Sequence, residues 1–229
     1  MNDESCDIHD VTKAASDLVA FGCSIGATQL YDGFLQLQFS SIVSSFANEI
    51  IQAVDEGLIS ARQGLQEIRN EYAELSSKAL FYAQNGVGVA AGVIQVQTGV
   101  SIIGNRKVLS SVMGAAYIGH GVNNIYESFG NIYNGPNKPG TVGPTRKGYQ
   151  FFAKDIHEGN VAYYSADLGL SLHGVLRSVR KTGTTELFTK DPLNYETAYK
   201  QMGRLSLAFE VLIESITINS MNEEITAKK

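Results

Sequence analysis

The stretch ALFYAQNGVGVAAGVIQVQTGVSIIGN, residues 79 to 105, carries no charged side chain over its 27 positions. As a helix it reaches roughly 40 Å, against about 30 Å of bilayer hydrocarbon. The pair Arg106-Lys107 follows, and VLSSVMGAAYIGHGVNNIY, residues 108 to 126, is then uncharged apart from His120. This second stretch reaches roughly 28 Å, just enough to span. Two uncharged stretches joined at Arg106 and Lys107 predict a helical hairpin. Asn85, Gln95, Gln97, Thr98 and Ser101 interrupt the first stretch and Asn123 and Asn124 close the second, so its apolar character is marginal for a permanent anchor.

Small residues recur within the hairpin. Gly88, Gly92 and Gly99 share one face of the first stretch, and Ser111, Ala115 and Gly119, with Asn123, step by four along the second. Small faces let helix backbones approach closely, which in lipid supplies dispersion contact without a hydrophobic driving force. In water each such glycine costs about 0.5–1 kcal/mol relative to alanine. The residues leave two readings open. One is a hairpin that packs in a membrane, or assembles there with Gln95, Thr98 and Asn105 turned to water. The other is a tight hairpin at the centre of a soluble bundle.

Outward from the hairpin, the periodicity predicts helix almost throughout. Val11 to Phe21 places Ala14, Leu18 and Phe21 together, with a break expected at Gly22 and Gly26. Leu30 to Val54 predicts an apolar face of Phe34, Leu37, Ile42, Phe46, Ile50 and Val54, and Asp55-Glu56-Gly57 turns the chain. Ser60 is placed to cap the next helix, whose buried stripe is Leu65, Ile68, Tyr72, Leu75 and Leu80. A kink is expected at Asn85-Gly86 or Gly88. Three of the four prolines fall between residues 130 and 147, a loop and the best candidate boundary. Helices are expected over 149–160, 161–180 and 195–218, the last facing inward through Met202, Leu205, Phe209, Leu212 and Ile216, with a frayed tail from Met221. The prediction is an all-α helical bundle with a central Gly-rich hydrophobic hairpin. It has helices and hairpin in 1–129, a loop at 130–147, and C-terminal helices in 148–229 packing on the same bundle as one domain.

Composition excludes several functions. A net charge of −5 without a Lys/Arg stripe argues against nucleic acid as a partner. Cys6 and Cys23 are too few for a disulfide scaffold and lack metal-ligand spacing, and no cofactor or metal is expected. The acidic N-terminus has no basic region followed by an apolar run, so no Sec-type signal peptide is expected.

HGVNNIYE, residues 120 to 127, sets His120, Asn123, Asn124 and Glu127 on one helical face. Such a face glues helices together, lines a polar path, or works in catalysis; His120 with Glu127 are too few ligands for zinc. Asp167, Ser171 and His173 do not form a nucleophile constellation, since Ser171 lies in no strand-to-helix elbow.

Four pieces carry a resemblance: GLISARQGLQEIRNEYAEL (57–75), GVGVAAGVIQVQTGVSIIG (86–104), HGVNNIYES (120–128) and YYSADLGLSLHGVLRSVRK (163–181). In that order they resemble a bacterial family of uncharacterised function, found as standalone effectors and as toxin tips of Rhs-type polymorphic proteins associated with type VI secretion. The resemblance runs from about Leu30 to Ile218, and HGVNNIYE is its most specific part. It implies an antibacterial effector that resembles ion-selective pore formers. Such a protein would be cytoplasmic in its producer and exported by the type VI machinery. It would depolarise the target's inner membrane as a homo-oligomer and be neutralised by a membrane-resident immunity protein. No catalytic residue comes with it. The alternatives are an envelope enzyme using His120, Asn124 and Glu127, and an adaptor or immunity protein that binds a partner through the hairpin.

Overall fold

The computed structural model describes residues 6–30, 32–104, 108–185 and 191–228. The fold is all-α. The chain divides into two compact units, Met1–Tyr82 and Ala83–Lys229. The division falls inside a helix, and the Gly/Pro loop lies within the second unit.

In the first unit, α1 (Ile8–Gln29) and α2 (Gly33–Asp55) pair, and the start of α3 (Ala61–Ile103) packs on them. Each start is capped by its own sequence. Asp7 accepts from His9 N and Asp10 N in a reciprocal capping box, and Asp32 accepts from Phe34 N and Leu35 N. Ser60 exchanges hydrogen bonds with Gln63 at the head of α3. Gly57, at a φ of +70°, closes α2, and Leu58 N returns to Ala53 O. Val11, Ala15, Leu18, Ala47 and Ile68 form the core, each large side chain contributing about 1.5–3 kcal/mol by burial.

Several expectations for this unit are corrected. Gly22 and Gly26 do not break α1; Gly22 lets α2 approach, with Val43 about 3.0 Å from where a Cβ on Gly22 would sit. The buried face of α2 runs through Val43, Phe46, Ala47, Ile50 and Val54, while Phe34, Leu37 and Ile42 are exposed. On α3, Leu65, Ile68 and Leu75 are in the core, whereas Leu80 is exposed. Past the end of this unit, α3 continues as helix through Asn85, Gly86 and Gly88.

The second unit holds the rest of α3, α4 (Val108–Asn134), α5 (Pro144–Phe152), α6 (Ile156–Leu176) and α7 (Arg204–Ala227). Between α6 and α7 lie β1 (Ser178–Arg180) and β2 (Tyr195–Thr197), antiparallel with Val179 opposite Glu196, and two short 3-10 turns. The helix expected over 149–160 is thus two pieces joined at Ala153–Asp155, and that expected from Tyr195 begins at Arg204. The tail is not frayed: α7 continues to Ala227, because Glu224 accepts from Asn160 at 2.7 Å and Lys228 meets Glu158 at 2.6 Å. Arg106, Lys107 and Asn105, placed by the sequence at the hairpin turn, lie outside the described residues, as does the side chain of Leu205.

Candidate functional site

Glycine positions the hairpin. Gly88, Gly92 and Gly99 of α3 all face α4. A Cβ on Gly92 would sit 2.5 Å from Gly121 O, and one on Gly99 would sit 2.6 Å from Gly114 O. The reciprocal approaches are as close, 2.6 Å from Gly121 to Gly92 O and 2.7 Å from Gly114 to Gly99 O. The α4 side of this crossing is therefore Gly114 and Gly121. Ser111 and Ala115 are exposed, and Gly119 faces Thr145, whose hydroxyl donates to Gly119 O. Spacing by four selected the wrong row of α4, because two rows of small residues run along it.

The polar face of α4 looks away from that crossing into a buried network. His120 Nδ1 lies 3.1 Å from Asp167 Oδ1 on α6 and Nε2 lies 3.1 Å from the Tyr149 hydroxyl on α5. With the Nδ1–H tautomer, His120 donates to Asp167 and accepts from Tyr149. Its ring stacks on Tyr163 at 4.8 Å. Asp167 accepts further from Gln95 at 2.9 Å and from Asn124. Tyr163 donates to Asn124 Oδ1 at 2.6 Å and accepts from Asn123 Nδ2 at 3.0 Å. Asn123 Oδ1 in turn accepts from Thr145 N.

Glu127 closes the network. It accepts from Asn123, from Gly143 N at 2.8 Å and from Arg146 Nη2 at 2.6 Å. The Arg146 guanidinium lies over Tyr163 and Tyr164, 5.0 and 4.6 Å from the ring centroids. Burial, and then the Asp167 and Glu127 carboxylates, hold the Tyr163 phenol well above its ordinary value. Burial does the same for Tyr149 and Tyr164. These phenols therefore stay protonated, Tyr163 donating to Asn124 and Tyr149 to His120. His120, Asn123, Glu127 and Asp167 are all buried, and each has its partners, so the arrangement binds α4 to α3, α5 and α6.

Beside the network, Gln95 and Thr98 line a cavity of about 310 Å³ together with Asp167, Ser171, Glu210 and Glu214. The Ser171 hydroxyl lies 3.1 Å from Glu210 and 3.3 Å from Glu214, one proton facing two carboxylates. Burial, partly offset by Ser171 and reinforced by Glu214, holds the Glu210 carboxyl above the usual range. His173 turns instead to the Tyr117 hydroxyl, which donates to Leu170 O, so Asp167, Ser171 and His173 serve three separate contacts. Among the described residues no group of three His, Cys, Asp or Glu could hold a metal. Asp167, Tyr163, Arg146 and Tyr149 are partners of the α4 face that the sequence reading did not join to it.

A hairpin crossed at its glycines and sealed by a polar clasp defines the class of helical protein. The chain belongs to the family described as "Protein of unknown function (DUF4225)", which it matches over residues 56–203. No curated protein and no solved structure matches it. The matched segment contains the whole clasp around α4.

Proposed function

We propose that the protein is a membrane-inserting antibacterial effector whose α3–α4 hairpin enters the inner membrane of a target cell and forms an ion-conducting path as a homo-oligomer. The observation that carries this reading is exposure. α3 is long and apolar enough to cross a bilayer, yet only 17% of its most apolar stretch is buried. A core helix of a soluble protein hides such a stretch. Val93, Ile94 and Val100 instead face outward.

The polar face of α4 favours a conducting path over a plain anchor. On insertion it would leave α5 and α6, so His120 would lose Tyr149 and Asp167 and Glu127 would lose Gly143 N and Arg146, while the Asn123–Glu127 and Asn124–Gln95 bonds lie within the hairpin. Hydrocarbon does not tolerate such groups unpaired, so they would line water. Export by a type VI machine and neutralisation by a membrane-resident immunity protein are supported by the sequence resemblance. An enzymatic use of the same face meets a His120 that is buried, with both ring nitrogens engaged by Asp167 and Tyr149. The test is conductance of protein reconstituted from detergent into a planar bilayer. Discrete steps are expected, and Glu127→Gln should shift the reversal potential under a salt gradient. A silent bilayer from a folded, toxic protein would reject the reading.

A further inference from the structure

The segment KPGTVGPTRKGYQFFAK, residues 138 to 154, holds Lys138, Arg146, Lys147 and Lys154 and no acidic residue, in a chain of net charge −5. Its helix, α5, carries Arg146 and Lys147 on different sides, and Lys154 follows its end. Arg146 and Tyr149 turn inward to the clasp. Lys147 and Lys154 are exposed, and Phe151 and Phe152 are 81% and 88% exposed, touching each other edge to face at 5.2 Å. Ile156, at the head of α6 four residues on from Phe152, is exposed as well. The next acid, Asp155, does not neutralise the lysines: it accepts from Glu158 N at the start of α6 and lies 3.4 Å from Lys228. Beside Phe152 an open cleft of about 470 Å³ runs between Tyr149, Gly148 and Ala162.

Adjacent aromatic rings held in water beside unneutralised lysines match the boundary between phospholipid headgroups and acyl chains. We propose that α5 is an interfacial anchor that docks the protein on a bilayer rich in anionic phospholipid. Phe151, Phe152 and Ile156 enter the headgroup–acyl boundary while Lys147 and Lys154 meet the phosphates. The anchor deepens the membrane reading and rests on it for the class of partner. It assigns docking to α5 and leaves insertion to the α3–α4 hairpin.

The test is co-sedimentation of the full chain with vesicles of phosphatidylethanolamine and phosphatidylglycerol, and with vesicles of phosphatidylcholine alone, reading dye release from the same samples. The wild type should bind the anionic vesicles preferentially. The variants F151S/F152S and K147Q/K154Q should each lose at least about tenfold in partitioning, as expected for removing two interfacial groups, with unchanged thermal melts because the side chains are exposed. Unchanged binding in both variants overturns the anchor, and so does absence of wild-type binding. If F151S/F152S instead converts a lipid-free dimer to a monomer, the patch is a contact between copies and the anchor falls. Binding without dye release keeps the anchor and rejects only a pore wide enough for the dye, the ion-conducting path being decided by the bilayer conductance. Release by wild type and F151S/F152S alike keeps the pore and rejects the anchor.

Discussion

Gly143 has an ordinary φ of −83°, so its backbone would accept any residue. The Asn123 carboxamide oxygen, however, occupies the place of a Cβ. Gly143→Ala should displace Asn123 and weaken the bonds of Gly143 N and Thr145 N, lowering stability by about 1–3 kcal/mol. Gly148→Ala, in the same helix with nothing within 4 Å of its Cβ position, should be neutral or stabilising, and thermal melts of the pair decide it. Arg146→Lys keeps the charge beside Glu127 but removes the planar group over Tyr163 and Tyr164, so a loss of about 1–2 kcal/mol in denaturant unfolding is expected. Glu210 gives a pH dependence. Because its folded-state pKa is raised, the folded protein holds its proton more tightly than the unfolded chain. Stability therefore falls as pH rises from the ordinary glutamate value through the raised one. Glu210→Gln should flatten that part of a melt-versus-pH curve; an unchanged slope would assign it elsewhere. The sequence made His120, Asn123, Asn124 and Glu127 legible as one face that needs partners, since their spacing is local. Asp167 and Arg146 were not legible as those partners. They lie 47 and 19 positions away, where no helical period applies.

At the scale of elements, glycine was read in two ways and only one matches α1. Gly22 and Gly26 were expected to break α1, whereas the helix runs through both: at Gly22, as at Gly92 and Gly99 in α3, a neighbouring helix crowds the place of a side chain, while a Cβ on Gly26 would meet Phe39 at an ordinary 3.6 Å. Chain composition does not separate the two uses, because a breaker and a contact differ only in what stands opposite. Position along α3 does separate them experimentally. Gly92→Ala should destabilise the second unit, since Gly121 O stands 2.5 Å from the new Cβ. Gly86→Ala, with open space around it, should gain about 0.5–1 kcal/mol. Equal effects in chemical denaturation would remove the crossing from the account. The face of α2 was misread for a related reason. Phe34, Leu37 and Ile42 compete with Val43 and Ala47 along a helix apolar on several sides, and periodicity alone does not choose between them, although Phe46, Ile50 and Val54 pack on the core as expected.

At the scale of the molecule, the two compact units are held by different physics. Met1–Tyr82 has an aliphatic core, whereas the interior of Ala83–Lys229 is largely amide, carboxylate and phenol. Leu18→Ala should cost about 2–5 kcal/mol, and hydrogen exchange should then accelerate in α1 and α2 while protection in α4 to α6 persists. Uniform loss of protection would mean that the units unfold as one. The all-α class was legible because helical periods are local; the boundary inside α3 was not, because an unbroken helix leaves no mark where its packing partners change. The glycine crossing has a thermodynamic consequence for any move of the hairpin between phases. Backbone laid against backbone is held by dispersion, whose strength hardly differs between water and hydrocarbon. The crossing is in that sense indifferent to solvent, whereas the clasp around Glu127 and Asp167 has a strength set by its dielectric surroundings. On the proposed route, α3 and α4 would change medium as a preassembled pair, and the free energy that governs the transfer would reside in releasing the clasp.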